Sequence, residues 1–404
     1  MSLTQIKKIK VFHFIETLGS GGAERALYLN LKHINKIKFD HFVITLYHSD
    51  DHFYEQSIRN LGIKVFHLNQ TSKRQLLFSI WRLYKILKAE KADILSTHLY
   101  WANIIGRISA KLAGVIVVNT IHNPDYDEEV WGQWGYFKQK KYIIVKLLDV
   151  LTARMFSDGI VAVSRYVASK SSQIYKPKKF EIAVIKNPIQ FNSCSDEKKN
   201  PFSSLTPNNY SKNVDYISLV GRITPQKGQI DLVKILIQLT KKYPLLEVLF
   251  VGAIHDWDYF CSIKGLLSKH HLESKVHFIG ETDQVQEFLR FSKVFVFPTR
   301  YEGMGMALAE AMLEEIPVAA YDVGPISEFV RDGIDGLLAI PNDVNHLSRC
   351  VEKLLDDKSL RIKMARSGKK QVINNFFPHK VANEWDNYLM SMQTVKDIGK
   401  NEIN

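Results

Sequence analysis

Short apolar runs alternate with longer amphipathic runs along the first half of the chain. The short runs are rich in β-branched and aromatic residues, and they predict seven strands: Val11–Ile15, Phe42–Leu46, Lys64–Leu68, Ile94–Thr97, Val115–Ile121, Gly159–Val163 and Ile182–Ile185. Between them, apolar residues recur at helical spacing, as in Ala23–Ile34 and Arg74–Lys91. This alternation predicts a doubly wound, mainly parallel sheet.

The pattern stops at residues 192–213, which are rich in Ser, Asn, Pro and Lys, and then restarts. The second half predicts five strands: Tyr216–Val220, Glu247–Val251, Val276–Ile279, Val294–Phe297 and Val318–Tyr321. Helical patterns lie between them, notably Gln229–Lys242 and Met306–Glu315. A last helical pattern, about His379–Met392, carries Trp385 and Tyr388.

We therefore expect an α/β protein of two Rossmann-like, doubly wound domains facing each other across a cleft. The expected boundaries are 1–191 for the N-terminal domain, 192–213 for a linker and 214–377 for the C-terminal domain. A helix at about 378–395 is expected to pack back on the N-terminal domain. Ligands in such sheets bind at the carboxyl ends of the strands, so the cleft is the expected active site.

Charge is distributed unevenly along the chain. Its 404 residues carry a net charge of +12. Residues 1–190 contain 28 Lys+Arg and 15 Asp+Glu, a net of +13, while residues 191–404 contain 26 and 27, a net of −1. A basic first half suits an acidic partner, such as lipid headgroups, a lipid-linked phosphate or nucleic acid. A well-solvated lysine-rich surface is the alternative.

Several protein classes are disfavoured by the sequence. The basic start Met1–Lys10 leads into a strand and not into a signal-peptide core, and no apolar stretch reaches the roughly 20 residues of a membrane span. Cys194, Cys261 and Cys350 lie too far apart to suggest a disulfide framework or a cysteine-based zinc site. We expect a cytoplasmic protein, with peripheral attachment to the inner face of the plasma membrane left open.

The segment from Pro298 to Met312 (PTRYEGMGMALAEAM) carries the strongest chemical signal. It follows a predicted strand and opens a predicted helix, where backbone N–H groups can bind an anion. Gly303 and Gly305 allow a ligand to approach the backbone closely. Glu302 and Glu310, eight residues apart, offer carboxylates that accept hydrogen bonds from sugar hydroxyls. The segment predicts a site for a polyol phosphate.

A second signal is the loop from Gly221 to Gly228 (GRITPQKG), directly after the strand Tyr216–Val220. Arg222 supplies a planar donor fork and Lys227 a mobile positive charge, and two cations in one loop suit a diphosphate. Alone, the loop would more often be an ordinary solvated loop; beside the first segment it favours phosphate binding.

These motifs resemble those of family 4 of the retaining glycosyltransferases, which have the two-domain fold called GT-B. The similarity runs from about residue 11 to residue 375. The matching stretches are Ser218–Gly228, Ile279–Gly280, Phe297–Met312, Pro317–Val318, Gly324 to Leu338, the loop Gly19–Glu24, the segment at His122, and Val163–Ser164.

The resemblance implies a role for each matching residue. Arg222 and Lys227, with Gly221, would bind the donor diphosphate and help the nucleotide leave. Glu310 would hold the ribose. The donor sugar and phosphate would be held by the Glu302 carboxylate and by the backbone amides that follow it, those of Gly303, Met304, Gly305 and Met306. In the N-terminal domain, His122 would face the sugar near the reacting carbon, and Gly21 and Gly22 would bring N–H groups to the diphosphate or acceptor.

The implied reaction moves a sugar from a UDP- or GDP-sugar to a glycan or lipid-linked acceptor, as in bacterial surface polysaccharide synthesis, without a metal, a cofactor or a nucleic-acid partner. The catalytic set would be His122, Glu302, Arg222 and Lys227, and retention would come from attack on the face that the diphosphate leaves.

Two positions depart from the family pattern. The family usually has a glycine before the Pro-Val pair, where this chain has Glu314, Glu315 and Ile316 before Pro317. Pro325 also replaces a common second glycine after Gly324. Both positions shape loops beside the expected donor site.

Alternatives remain open for several features. The loop Gly19-Ser20-Gly21 could suggest a dinucleotide-binding oxidoreductase, but Glu24 stands where the third glycine is needed. A sugar-nucleotide epimerase, a glycan phosphorylase and a non-enzymatic basic binding protein are further options. His122 could be a plain strand-end histidine, and His98 is a weaker acceptor-site candidate.

Two kinds of sequence pattern allow a second interpretation. The triplets Asp125-Tyr126-Asp127 and Asp256-Trp257-Asp258 could hold a metal in another glycosyltransferase fold, although chance matches are common. The stretch from Trp131 to Tyr142 mixes aromatic rings with lysines, which suits either a membrane interface or a helix packed on the sheet.

Overall fold

The computed structural model describes residues 8–47, 53–71, 75–124, 126, 136–191, 214–282 and 284–401. The chain divides into two compact units. Unit 1 comprises Met1–Ile189 and Phe376–Asn404, and unit 2 comprises Gln190–Asn375. The expected linker, 192–213, lies outside the described residues.

Unit 1 is built on a seven-stranded parallel sheet with the order β3-β2-β1-β4-β5-β6-β7. The strands are β1 Ile9–Ile15, β2 Phe39–Tyr47, β3 Lys64–Gln70, β4 Ile94–His98, β5 Ile116–Ile121, β6 Gly159–Ala162 and β7 Ala183–Val184. Most of them are buried on both faces, which is why their sequences are continuous apolar runs.

Helices cover both faces of this sheet. They are α1 Gly22–His33, α2 Glu55–Asn60, α3 Leu76–Ala89, α4 Tyr100–Ala113, α5 Tyr136–Phe156, α6 Arg165–Tyr175 and α13 Pro378–Asn401. From β3 onward, each crossover advances the same way along the sheet, so right-handed connections put α3, α4, α5 and α6 on one face. The crossovers through α1 and α2 run the other way and put those helices on the opposite face.

The last helix, α13, belongs to unit 1 although it follows unit 2 in the sequence. It packs beside α1, and Val381, Trp385 and Leu389 join a buried cluster with Val11 and Val118 of the sheet. The Asp386 carboxylate also accepts a hydrogen bond from the Asn35 N–H. Burial of this apolar stripe holds the chain's end against unit 1.

Unit 2 repeats the architecture on a six-stranded parallel sheet with the order β10-β9-β8-β11-β12-β13. Its strands are β8 Asp215–Val220, β9 Leu246–Val251, β10 Val276–Gly280, β11 Ser292–Phe297, β12 Val318–Tyr321 and β13 Leu337–Ala339. Its helices are α7 Gln229–Leu239, α8 Trp257–Lys269, α9 Val285–Phe291, α10 Met306–Leu313, α11 Val344–Asp356 and α12 Lys358–Phe376.

The expected fold class is confirmed: there are two parallel sheets with flanking helices. Every strand predicted from the sequence is present, with ends that differ by up to three residues. The short strand β13 was not predicted, because three residues carry too little pattern. Within the described ranges, no helix has both the length and the hydrophobicity needed to cross a bilayer.

Candidate active site

The candidate donor site lies where the strand order of the unit 2 sheet reverses. Strands β8 and β11 are hydrogen-bonded neighbours, although the chain moves outward from β8 to β9 and β10 before it returns to β11. Such a reversal leaves a crevice at the carboxyl ends of the two strands, where ligands bind in open α/β sheets. The loop 221–228 follows β8 and the loop 298–305 follows β11, so both predicted motifs meet at this crevice.

Gln226 ties these two loops together. Its carbonyl oxygen accepts a hydrogen bond from the Arg300 N–H at 2.8 Å, and its side-chain amide donates to the Tyr301 carbonyl oxygen at 3.0 Å. At Gly228 the backbones come so close that an added Cβ would lie 2.0 Å from the Pro298 carbonyl oxygen. Gly228 also has a φ of +71°, which glycine adopts without strain.

Lys227 and Glu302 form an ion pair across the two loops. Glu302 is buried, and its Oε1 also accepts a hydrogen bond from the Thr299 hydroxyl at 3.0 Å. A buried carboxylate needs such partners to remain charged. The pair therefore holds the Lys227 ammonium between the two loops, where it can meet an anionic ligand.

Arg222 stands at the other end of the same loop with an exposed side chain. It forms no ion pair with any other residue in the described ranges. The pKa of the nearby His255 is lowered by burial and by the positive charge of Arg222, while Glu281 opposes the shift. Arg222, His255 and Glu281 follow β8, β9 and β10, so ionisable groups from three strand ends lie at one edge of the sheet.

Helix α10 begins beside the ion pair. Gly305 precedes it with a φ of +79°, and an added Cβ would lie 2.9 Å from the Ile326 side chain. Glu310, in the middle of this short helix, is only 3% exposed, and Glu302 is 7% exposed. The site thus combines two buried carboxylates, one paired cation, one exposed cation and a helix N-terminus. This combination can bind a diphosphate together with the hydroxyls of sugars.

Unit 1 has a corresponding reversal between β1 and β4, where Ile15 pairs with His98. Gly21 and Gly22 lie at the start of α1, which follows β1, and His122 directly follows β5, the neighbour of β4. The Glu16 carboxylate accepts a hydrogen bond from the Trp101 N–H at 2.7 Å, which joins the loop after β1 to the start of α4. The structure therefore brings the N-terminal candidates to one edge of one sheet.

His122 belongs to a row of four histidines that starts at this edge and runs into the sheet: His98 ends β4, His13 lies within β1, and His41 lies near the start of β2. His98 Nδ1 lies 3.2 Å from His122 Nε2, and His13 Nε2 lies 3.0 Å from His41 Nδ1. The rings of His13 and His98 stack with centroids 5.8 Å apart and connect the two pairs.

Burial lowers the pKa of all four rings. The pKa of His122 falls to about 4 and that of His41 to about 3, with Lys36 adding to the shift at His41. At His13 and His98 the neighbouring histidines lower the pKa further. All four are therefore neutral at pH 7. Leu99, which follows His98, has a φ of +71°, a strained value for leucine that accompanies the placement of His98.

The backbone accommodates both departures from the family pattern, in different ways. Glu315 has a φ of +58°, and the N–H groups of Glu315 and Ile316 donate to the carbonyl oxygens of Met312 and Ala311. This is the Schellman ending in which a glycine is usual. Pro325 has a φ of −85°, which proline adopts readily, and it precedes the 3-10 turn Ile326–Glu328.

The structure adds residues that the sequence did not single out. Gln226 and Thr299 make contacts within and between the loops 221–228 and 298–305, which we call the donor loops. His13 and His41 complete the histidine row. The sequence gives little sign of these residues, because most of their contacts join positions far apart in the chain. Of the two Asp-x-Asp triplets, Asp125 and Asp127 lie outside the described residues. Asp256 caps α8 by accepting from the Tyr259 N–H at 2.9 Å, which explains its presence without a metal.

Two doubly wound α/β units are shared by proteins of many functions, so the class of protein is identified by family comparisons. Residues 20–192 match the family described as glycosyltransferase family 4, and residues 206–371 match the glycosyl transferases group 1. The two matches together span most of the chain. The protein therefore belongs to the group 1 glycosyltransferases of the family 4 type, and its fold is GT-B.

Similar proteins act in glycan assembly. The chain is 26% identical over 306 residues to the Escherichia coli UDP-Gal:α-D-GlcNAc-diphosphoundecaprenol α-1,3-galactosyltransferase, covering 74% of this chain and 75% of that protein. It is 24% identical over 316 residues to the Staphylococcus aureus capsular polysaccharide biosynthesis glycosyltransferase CapM, covering 74% and 77%.

Among solved structures, Anabaena HepE in complex with UDP and glucose is similar in fold. Its TM-score is 0.80 at 17% identity, with 95% of this chain and 100% of HepE covered.

Proposed function

We propose that the protein is a retaining hexosyltransferase that uses no metal and moves a sugar from a UDP- or GDP-sugar to a glycan or lipid-linked acceptor. Bacterial surface polysaccharide synthesis is the proposed setting. The observation that carries the proposal is the Lys227–Glu302 pair at the reversal point of the unit 2 sheet. The HepE complex with UDP and glucose and the donor and acceptor named for the E. coli relative support the choice of donor and acceptor class.

In this proposal the donor is held by unit 2. Lys227 and Arg222 bind the diphosphate, and Glu310 accepts hydrogen bonds from the ribose hydroxyls. Glu302 and the backbone N–H groups from Gly303 to Met306 bind the donor sugar and its phosphate. Glu302 holds Lys227 in place before the donor arrives, so the site needs little rearrangement to bind an anion.

The bond that breaks joins the anomeric carbon to a diphosphate oxygen, and the bond that forms joins the same carbon to an acceptor hydroxyl oxygen. The hydroxyl proton passes to the departing diphosphate on the same face of the sugar, which retains the configuration. Negative charge builds on the leaving diphosphate, and Lys227 and Arg222 stabilise it. His122, kept neutral by burial, hydrogen-bonds the donor sugar, and Gly21 and Gly22 offer N–H groups to the diphosphate or the acceptor.

The first test is a thermal-shift screen against UDP, GDP, ADP and their common sugar conjugates. Binding to the folded state adds about 2.7 kcal/mol at a ligand concentration one hundred times the Kd. We expect one nucleotide series, UDP or GDP, to raise the melting temperature clearly above the others. A flat response to the whole panel would contradict the proposed donor class.

A second test separates transfer from the alternative activities on this fold. The donor that the screen selects is incubated with and without lipid extracts that contain polyprenyl-diphosphate sugars. A glycosyltransferase releases the nucleoside diphosphate faster when the acceptor is present. An epimerase instead converts the donor without any acceptor, and a phosphorylase requires free phosphate.

A further inference from the structure

The outward face of α5 is apolar along the part of the helix whose side chains are described. Asp149 and Ala153 face inward and are buried. Apart from Arg154, the exposed positions follow helical spacing and are large apolar residues between 44% and 62% exposed: Ile143, Ile144, Leu147, Leu148, Leu151 and Met155. An apolar face of this length on a protein surface indicates a partner that is itself apolar.

The inward face of α5 carries a buried ionic group, which is unusual for the inward face of a surface helix. The Asp149 carboxylate pairs with the fully buried Arg107 guanidinium and accepts hydrogen bonds from the hydroxyls of Tyr126 and Tyr175, each at 2.7 Å. Arg107 also donates to Asn119 Oδ1 at 2.9 Å. Because polar contacts attach this helix to the unit, its aliphatic side chains remain available for another surface.

Helix α3, on the same side of the sheet, adds aromatic residues and cations. Leu77, Phe78 and Trp81 are exposed. The Arg82 guanidinium lies 4.8 Å from the centre of the Phe78 ring, and the Lys85 ammonium lies 3.7 Å from that of Trp81. Rings and cations in this arrangement are typical of a membrane interface, where rings sit at headgroup depth and cations meet lipid phosphates.

The charges on this side are of one sign. Helices α3 and α4 contain no acidic residue, and the only one in α5 is the buried Asp149. The outward-facing charged residues of the three helices are all basic: Arg82, Lys85, Lys88, Lys111 and Arg154. This surface therefore attracts an anionic partner and repels a basic one.

We propose that the outward residues of α3 and α5 form a docking face for the anionic surface of a lipid bilayer, on which the protein lies without crossing it. The docking face consists of Leu77, Phe78, Trp81 and Lys85 of α3 and the six apolar residues of α5 given above. A second copy of the chain is disfavoured, because a two-fold contact would oppose two basic faces. Nucleic acid is disfavoured, because an aliphatic stripe offers it neither stacking nor hydrogen bonds.

The docking face reaches the edge of the sheet that holds the N-terminal candidates. Helices α3 and α5 run antiparallel to the strands, so their N-terminal ends lie at the carboxyl ends of those strands, as do His98 and His122. Leu77 and Phe78 of α3 and Ile143 of α5 are in these N-terminal halves. A lipid-bound acceptor at the docking face would therefore lie close to this edge. This step rests on the proposed function, whereas the docking itself does not.

The test is flotation of the full-length protein with vesicles of phosphatidylcholine alone or mixed with phosphatidylglycerol. We expect wild type to float only with the mixed vesicles, and to bind less as salt rises from about 0.1 M to about 0.5 M, because salt screens surface charges. Leu147→Glu/Leu151→Glu should reduce the partition coefficient by on the order of tenfold or more. Ile37→Glu, at a 77% exposed position elsewhere in unit 1, is the matched control and should bind as wild type does.

A second pair of variants tests the charge. Lys85→Glu/Lys88→Glu should weaken binding to the mixed vesicles, whereas Lys32→Glu/Lys38→Glu, with the same charge change at exposed sites off α3, α4 and α5, should weaken it far less. All variants change exposed residues, so melting temperatures and the response to nucleotides should match those of wild type. A wild-type protein that binds nucleotides but not vesicles would refute the docking proposal alone, and one that binds vesicles but not nucleotides would refute the proposed function alone.

Three results would overturn the docking proposal. Wild type that stays unbound with the mixed vesicles at low salt excludes an anionic bilayer as the partner. Binding of Leu147→Glu/Leu151→Glu at wild-type strength places the contact elsewhere. A wild-type dimer in light scattering that the same variant converts to a monomer, with no change in vesicle binding, would make this face an interface between two copies.

Discussion

At the scale of single residues, the approach of the two donor loops depends on Gly228. We predict that Gly228→Ala destabilises the protein by more than about 3 kcal/mol, since it adds a backbone clash to the roughly 1–2 kcal/mol cost of a positive φ. Gly333→Ala is the matched control, because Gly333 has a φ of +72° but no atom within 4 Å of its added Cβ. Urea unfolding of both variants measures the difference, and equal losses would mean that the loops do not approach as described.

At Glu315, by contrast, we predict a substitution that increases stability. It adopts the left-handed conformation at the end of α10, so Glu315→Gly should relieve strain and stabilise the protein by about 0.5–1 kcal/mol. Glu315→Ala is the control: it removes the exposed ion pair with Lys369 without relieving the strain, so it should be neutral or destabilising. If the alanine variant gained as much stability as the glycine variant, the strain argument would be wrong.

The donor residues show what sequence can and cannot predict at this scale. Glu302, Glu310, Arg222 and Lys227 stood out because their residue types and local spacing match a known chemistry. Lys227 and Glu302 are 75 residues apart in the chain. Their contact could not be predicted without knowing that β8 and β11 are neighbours in the sheet. Gln226 carries no local signal, since a glutamine in a turn is ordinary until its two partners on the other loop are known.

At the scale of elements, the four buried histidines on and beside the strands of unit 1 make its stability depend on pH. Their pKa values are lowered in the folded state, so they stay neutral there, while in the unfolded chain they bind protons below about pH 6.5. We predict that the free energy of unfolding falls as pH decreases from about 6.5 to 5. The slope should be about 1.4 kcal/mol per pH unit for each histidine that stays neutral.

Urea unfolding at several pH values tests this histidine effect. His41→Gln should reduce the slope between about pH 6.5 and 5, because it removes one of the four groups. His270→Gln, at an exposed position in unit 2, should leave the slope unchanged. A wild-type protein whose stability is constant over this range would contradict the burial of neutral histidines.

The elements themselves were largely predictable, because buried parallel strands are continuous apolar runs and the crossover helices keep an apolar stripe. The ends of the elements were less predictable. Strand β4 extends to His98 and β8 starts at Asp215, because backbone pairing extends through polar residues. It could not be predicted from the sequence of α5 that its apolar side chains would be exposed and Asp149 buried. Which face of that helix meets the sheet depends on the Arg107–Asp149 pair, and its partners come from several elements.

At the scale of the whole molecule, the proposed chemistry needs no divalent ion. In the proposed mechanism Arg222 and Lys227 supply the positive charge for the leaving diphosphate, so we predict that EDTA leaves the transfer rate nearly unchanged. In the described ranges, no group of three or more potential ligand residues could hold a metal ion. The measurement is the rate before and after chelation, with added manganese as the control. Loss of activity with EDTA and its recovery with manganese would turn attention to the Asp-x-Asp triplets.

The most direct test of the central claim is the release of nucleoside diphosphate from the selected donor, in the presence of acceptor lipid, by wild type and by Lys227→Ala and Glu310→Ala. Each variant should remain folded and lose activity by about 10²–10³, because each removes a contact to the donor in the transition state. Glu315→Ala, just beyond the end of α10, is the matched control and should keep wild-type activity. Rates for Lys227→Ala and Glu310→Ala within a factor of a few of wild type would contradict a donor site at these loops.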